Sequence, residues 1–473
     1  MDESAAGTRD LSSQARRAVG KAARKRQPRR IHSEWEPAPD RPDPVEILEA
    51  QAETRAKDLL PIRYGRMLSS PFAFYRGGPA IMANDLAGSP TTGIAVQACG
   101  DAHLVNFGLF ASPERDLVFD VNDFDETLPG PWEWDVKRLA ASVAIAARQK
   151  GLPRDRQREA ARLTVRGYRE AVLSFAQLAT LELWFLHMSS DQIADIAGQL
   201  EAEYGVEAPK LAPDRLARIF AKARAHNSRV ALARLCQSDG ATVRLASHPP
   251  LLVPVRQLWA AADADRVDAG IRLAFDSYRA SLGDDRRALL DQYEIVDMAR
   301  KVVGVGSVGT RCYVVLLRGK RRDDVLFLQV KQAEASVLEP YLEGSSYPNH
   351  GHRVVAGQRL LQALPDTLLG WSTAPDGNDY YFRQLWDMKG EIDPSKLTPG
   401  GLGIYGALCG WTLARAHGRG GDEVAIAGYL GKADAFDHAI AEFAVAYADV
   451  NDRDHKRLAA AADAGTVKAA TEL

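Results

Sequence analysis

Cysteine is scarce: Cys99, Cys236, Cys312 and Cys409 are the only four in 473 residues, and none stands at the short paired spacing that zinc sites and redox motifs use. A disulfide scaffold is excluded, and at roughly 100–200 residues per domain the length suffices for two to four domains that fold without staples. Long apolar runs are lacking too. Nothing approaches the ~18–20 apolar residues of a membrane span, and the basic N-terminus has no apolar stretch of the kind a secretion signal carries. Nor does one sign of charge dominate: Lys+Arg 60 stand against Asp+Glu 62, a net charge of -2. That balance argues against a whole-protein nucleic-acid binder, and the expectation is a soluble cytoplasmic protein.

What is present is uneven. Residues 16–30 hold eight Lys or Arg and no acid, and Pro37, Pro39, Pro42 and Pro44 follow. Residues 1–44 read as a disordered tail; it is the one segment with a surface for RNA or anionic lipid, although a solvated extension is the commoner case. Helical patterning over 45–67 gives way to the irregular SPFAFYRGG (70–78). Two short apolar runs, within 93–110 and 116–126, end in clustered acids and suggest a β-hairpin that holds a polar site. Residues 135–300 read mostly as amphipathic helix, with examples over 137–150, 154–181, 190–203, 213–236 and 266–293. At Lys301 the texture turns to strand, in KVVGVGSVGTRCYVVLLRG (301–319) and VLFLQVKQA (325–333). Helix is expected again over 352–364, 402–416 and from Glu423, with strands over 368–371 and 380–385.

Two constellations carry chemistry. The first is Gly100-Asp101-Ala102-His103-Leu104-Val105-Asn106, followed 22 residues after Asp101 by Asp123-Phe124-Asp125. On a loop leaving a strand, Asp101 can meet a substrate hydroxyl while Asn106, Asp123 and Asp125 offer the hard oxygens that Mg²⁺ prefers. Singly, a strand-end Asp is usually a turn residue; jointly, the spacing favours function. His103 belongs to the same loop as a contact for phosphate or metal, or as a buried imidazole that holds the loop by hydrogen bonds, the role favoured here. The second constellation is Gly304, Gly306, Ser307 and Gly309 in G-x-G-x-x-G, whose glycines let backbone N–H groups approach a polyphosphate. A dinucleotide fingerprint should open a helix. Here strand follows instead, and then Lys331 in Q-V-K, an arrangement that suits a nucleotide-phosphate clamp.

G-D-x-H-x-x-N with D-F-[DE] resembles the aminoglycoside- and choline-kinase branch of the protein-kinase-like superfamily. More closely, SPFAFYRG, QACGDAHLVNFG, NDFDETLPGPWEWDVKRLA, KVVGVGSVGTRC and FRQLWDMKG resemble the bacterial family named domain of unknown function 2252, over about residues 45–450. The resemblance implies an α+β, protein-kinase-like two-lobed fold, with a small antiparallel-sheet lobe and a larger, mostly helical one. It implies Asp101 as catalytic base, Asn106 and Asp123 as metal ligands, Lys331 as the phosphate lysine and Asp135 as a brace for the catalytic loop. The partner acid of Lys331 stays open among Glu334, Glu339 and Glu343, with Gln358 on the helix that looks most like the kinase one.

Two departures stand out. Cys99 occupies the place before Gly100 where a His or His-Gly is usual, and the catalytic loop precedes the Gly-rich loop. Because 403–422 resembles the helix that normally enters the catalytic loop, a circular permutation is expected. It divides the chain into the tail (1–44), a catalytic and helical part (45–300), a nucleotide-clamping lobe (301–390) and a closing helical segment (391–473). A non-permuted arrangement would seat catalysis at 417–422. The expected activity is ATP- and Mg²⁺-dependent phosphoryl transfer to a small hydroxyl- or amine-bearing acceptor. Alternatives are adenylyl transfer on the same fold, a non-catalytic nucleotide-binding scaffold, or a metal hydrolase built on Asp101, His103, Asp123 and Asp125.

Overall fold

The computed structural model describes residues 12–193, 195, 196, 198, 213–238, 243–258, 264–321 and 323–470. In chain order these form α1 (Ser13–Arg26), α2 (Pro44–Ala52), α3 (Leu60–Leu68), α4 (Pro71–Gly77) and α5 (Pro79–Ala87), then β1 (Ala95–Ala98), β2 (Phe107–Ala111), β3 (Leu117–Val121) and β4 (Leu128–Pro131). Helices α6 (Trp132–Gln149), α7 (Arg154–Phe175) and α8 (Thr180–Phe185) follow, then β5 (Met188–Ser189), α9 (Pro213–Ala225), α10 (Ser228–Leu235), β6 (Cys236–Ser238), β7 (Val243–Leu245), β8 (Leu252–Pro254), α11 (Ala264–Ala280) and α12 (Asp284–Leu290). The remainder is β9 (Glu294–Lys301), β10 (Cys312–Arg318), β11 (Val325–Ala333), α13 (His350–Leu361), β12 (Gly370–Thr373), β13 (Asp379–Gln384), β14 (Gly390–Glu391), α14 (Pro399–Gly420), α15 (Glu423–Leu430) and α16 (Ala435–Asp463). The fold is mixed α+β with antiparallel sheets.

From Ser12 onward the basic N-terminus is ordered, which corrects the expected disordered tail. The Ser12 hydroxyl caps α1 by accepting from the Ala15 N–H at 3.2 Å. Gly20 and Ala23 are buried, and a Cβ on Gly20 would run into the Ala425 carbonyl, so α1 lies backbone to backbone on α15. Its charge is used: Arg16 pairs with Asp422 at 2.8 Å and with Glu423 at 3.3 Å. His32 and Trp35 are buried beyond it, against Phe436 and Phe443 of α16.

The long helices form the main core. Trp132 opens α6 and stacks on Tyr168 of α7 with ring planes 4° apart. Helix α14 crosses α7 closely because Gly410 has no Cβ to strike the Thr164 carbonyl. A separate six-stranded sheet runs β12-β13-β11-β10-β9-β8, every pairing antiparallel. Its alternating residues separate two apolar faces. Val315, Leu317, Leu328 and Val330 pack with Tyr278 and Phe382, whereas Val314, Leu316 and Phe327 pack with Leu235 and Leu245.

This sheet draws in residues that the sequence assigns to the helical part. Strand β9 starts at Glu294, not Lys301, and Tyr278 of α11 stacks on Phe382 of β13 at 4.0 Å. The expected helices 213–236 and 266–293 each break in two, the second at Gly283. The expected helix 190–203 lies partly outside the described residues. The acid-bearing hairpin is β2–β3, while β1 pairs with β4 instead.

Candidate active site

The loop after β1 is tied down from α6. Asp135, in the first turn of that helix, accepts from the Cys99 N–H at 2.7 Å and the Gly100 N–H at 3.0 Å. Gly100 takes φ +80°, and a Cβ there would strike the Glu126 carbonyl. Asp135 also accepts from His417 Nε2 at 3.1 Å, which leaves Nδ1 to accept from the Tyr168 hydroxyl at 2.8 Å. His417, from the end of α14, thus completes the brace on this loop. Asp422, for its part, caps α15. His417 and Asp422, the ends of the segment where a non-permuted arrangement would seat catalysis, are thus both held in structural contacts.

Three residues after Asp135, on the same face of α6, Arg138 donates from Nε to Asp101 Oδ1 at 2.5 Å. Burial pushes the Asp101 carboxyl up to about 6 against the pull of Arg138. Asn106 lines the cleft, and its Nδ2 donates to the Asp101 carbonyl at 2.7 Å, so its Oδ1 is not the atom used in that bond. His103 is buried; its Nδ1 accepts from the Val105 N–H at 3.2 Å, and its Nε2 lies 3.9 Å from Asp101 Oδ2. Burial holds its pKa well down, so it is a neutral ring fastening the loop.

Lys331, on β11 and 2% exposed, closes the other side. Its Nζ lies 2.5 Å from Asp125 Oδ2 and 3.4 Å from Asp123 Oδ1, and the Tyr381 hydroxyl donates to Asp125 Oδ1 at 2.6 Å. Both Asp125 oxygens are occupied, so the acid facing Lys331 comes from D-F-D and from none of the expected positions. Gln358 of α13 donates to Gln362, and Glu339 accepts from the Ser336 N–H. Lys331 and the nearby Arg383 hold the Asp123 carboxyl down to about 2, although burial works the other way.

A cleft of about 1030 Å³ is lined by Asp101, Asn106, Asp123, Gly304, Gly306 and Ser307, joining both sequence constellations. A second, of about 760 Å³, shares Asn106, Asp123, Gly304 and Ser307 and adds Lys331, Arg383 and Lys389. Gly309 lines neither. The Gly-rich loop is held from the N-terminal side: Arg55 Nη1 donates to the Gly306 and Val308 carbonyls at 2.7 and 2.6 Å, Arg66 Nη1 to the Gly304 carbonyl at 2.6 Å, and the Ala56 N–H to the Gly309 carbonyl at 2.8 Å. Arg55, Arg66, Arg138 and Tyr381 were not singled out from the sequence. Only Arg138 carries a local signal, its place one helical turn beyond Asp135.

No group of three or more His, Cys, Asp or Glu side chains is placed to hold a metal ion among the described residues. One carboxylate and one amide oxygen, Asp123 and Asn106, fit a hard cation that keeps water or phosphate in its other positions. All four cysteines are free, and burial pushes the Cys99, Cys312 and Cys409 thiols up, away from nucleophilic use. No helix among the described residues is long and apolar enough to cross a membrane. The family model described as "Uncharacterized protein conserved in bacteria" matches residues 55–461. No curated protein and no solved structure matches the chain.

Proposed function

We propose that this chain, which belongs to the uncharacterised bacterial family DUF2252, transfers a phosphoryl group from Mg²⁺–ATP to a small hydroxyl- or amine-bearing acceptor. The observation that carries the reading is the meeting of Lys331 with Asp123 and Asp125, 208 and 206 residues away in sequence, beside a cleft that also holds Asp101 and Asn106. A protein-kinase-like small lobe is supported by the antiparallel order β12-β13-β11-β10-β9 with α13 following β11. Permutation is supported where α14 ends: Gly420 and Gly421 press against Gln97 and Val96, at the strand that leads into the Asp101 loop.

In this reading Asp101 accepts the acceptor's proton on Oδ2, the oxygen that Arg138 leaves free. The acceptor oxygen or nitrogen bonds to the γ-phosphorus, and the bond to the β–γ bridging oxygen breaks, its electron pair leaving with ADP. Lys331 neutralises charge on the phosphates, and Asp125 and Tyr381 fix its position. Bound at Asn106 and Asp123, Mg²⁺ supplies charge neutralisation at the phosphate oxygens. Asp125 takes the place that a helix acid fills in the usual lysine ion pair.

Calorimetry with Mg²⁺–ATP on wild type and D123N, followed by mass spectrometry of a metabolite panel, tests the reading. Binding that ignores Asp123, or binding with no turnover, would sink it, and the latter outcome would favour a nucleotide-binding scaffold. Adenylyl transfer is the second reading, favoured by the Lys301, Arg383 and Lys389 lining of the smaller cleft, which suits the anionic end of a nucleotide. The mass added to the acceptor, phosphate or AMP, decides between them.

A further inference from the structure

Arg76 is the one cationic side chain that lines both clefts. It stands near the end of α4, within the SPFAFYRG segment that no role above absorbs. Its Nε is buried without a partner, and among the described residues no hydrogen bond or ion pair holds its guanidinium. The neighbouring arginines differ. Arg55 and Arg66 donate to loop carbonyls, Arg138 to Asp101, and Arg353 to the Thr127, Asp125 and Glu334 carbonyls.

The carboxylates that act on Arg76 from a distance are Glu391, Asp101, Asp123 and Asp393, but Glu391 faces Lys389, Asp101 is taken by Arg138, Asp123 faces Lys331 and Asp393 pairs with Lys396. A half-buried guanidinium without a partner is a net loss to stability, and such a group in a cleft is a candidate for ligand contact.

Its position is fixed by the site itself. The Ser70 hydroxyl caps α4 by accepting from the Ala73 N–H at 3.1 Å. The Tyr75 carbonyl accepts from Arg138 Nη2 at 3.1 Å, and the Tyr75 hydroxyl donates to the Arg138 carbonyl at 2.8 Å. Arg138 therefore holds the catalytic carboxylate with one nitrogen and the residue before Arg76 with another. On the other side, a Cβ on Gly306 would lie 3.3 Å from the Arg76 carbonyl, so the Gly-rich loop rests on this residue. Arg76 stands between the carboxylate proposed to take the acceptor's proton and the loop proposed to hold the donor's phosphates.

Resting on the proposed phosphotransferase reading, we infer that Arg76 binds the terminal phosphoryl group of the nucleoside triphosphate and stays with it during transfer. A planar guanidinium presents paired N–H donors that match two phosphate oxygens, and a fixed positive charge suits the charge gathering on the phosphoryl as the bridging oxygen departs with the bond's electron pair. Lys331 remains the contact for the inner phosphates. Arg76 accepts no proton and forms no bond.

The test compares full-length wild type, Arg76→Met, Arg76→Lys and Asp123→Asn by calorimetry with Mg²⁺–ATP and Mg²⁺–ADP, by thermal unfolding, and by turnover. Arg76→Met is expected to bind ADP as wild type does and to lose about tenfold or more in ATP affinity. Its kcat should fall roughly 10²–10³-fold, the scale of a lost transition-state donor. Its melting temperature should hold or rise, since no partner is stranded, and Arg76→Lys should recover part of the ATP preference. Equal changes for ATP and ADP, or a lowered melting temperature with unchanged ATP preference, would overturn the inference while leaving the Asp123-dependent site standing. A wild-type chain that binds neither nucleotide would overturn both.

Discussion

Arg138 and Asp101 are joined at 2.5 Å by a bond that opposes the effect of their surroundings: burial pushes the carboxyl up to about 6, and the guanidinium pulls it down. A general base works deprotonated, so turnover should rise with pH through about 6 and level off above it. Asp101→Asn should lower kcat by about 10²–10⁴-fold with nucleotide binding retained. Arg138→Met removes the downward pull, so the acid limb of its pH–rate profile should move to higher pH. An unmoved limb would show that Asp101 is not the titrating group.

Asp123 and Asp125 are expected to separate by metal dependence. Asp123→Asn should raise the Mg²⁺ concentration needed for half-maximal rate by about tenfold or more, since it withdraws the carboxylate of the proposed Asn106–Asp123 ligand pair. Asp125→Asn loosens Lys331 and should lower kcat at saturating Mg²⁺ with little change in the metal requirement. Tyr381→Phe should act in the same direction as Asp125→Asn, more weakly. A shared metal phenotype for both acids would return Asp125 to the metal ligands.

Asp135→Ala strands the Cys99 and Gly100 N–H groups and His417 together, all of them buried or nearly so. The expected loss is on the order of 3 kcal/mol, from several unsatisfied polar groups at about 1–3 kcal/mol each. Chemical denaturation measures it directly.

Glu126 gives stability a pH slope of known sign. Burial pushes its carboxyl up to about 7, although the Val337 N–H and Arg353 pull it down. A free glutamate titrates near about 4.3, so between these values the folded chain keeps a proton that the unfolded chain has released. Stability should decline as pH climbs across that window. In Glu126→Gln this contribution is absent, so its melting temperature should gain on wild type as pH rises from 5 to 8.

Removing residues 1–27 should lower the melting temperature by uncovering α15, and Gly20→Leu should do so without shortening the chain, because the Ala425 carbonyl occupies the space. The sequence hid this contact for a physical reason. The buried face of α1 is made of Gly20 and Ala23, which register weakly in any hydrophobic pattern, while eight basic residues between 16 and 30 dominate the composition. Elsewhere, strong local patterns were legible: β11 is observed at the expected 325–333, α13 begins within two residues of its expected start, and the D-F-D acids and Lys331 stand out by type. Their pairing was not legible, because a chain folded over 206 residues decides which acid reaches which lysine. The same holds for His417, which reaches Asp135 from 282 residues away.

The Gly-rich loop has a further consequence through its carbonyls. Those of Gly304, Gly306, Val308 and Gly309 are bound by Arg66, Arg55 and the Ala56 N–H, so the loop and the 55–66 segment open and close as one cooperative unit. Cleft occupancy and docking of that segment then share a single coupling free energy, and by reciprocity each strengthens the other equally. Amide protons around residues 55–66 should slow their exchange when the cleft is filled, although of this segment only Arg55 and Arg66 line the two clefts.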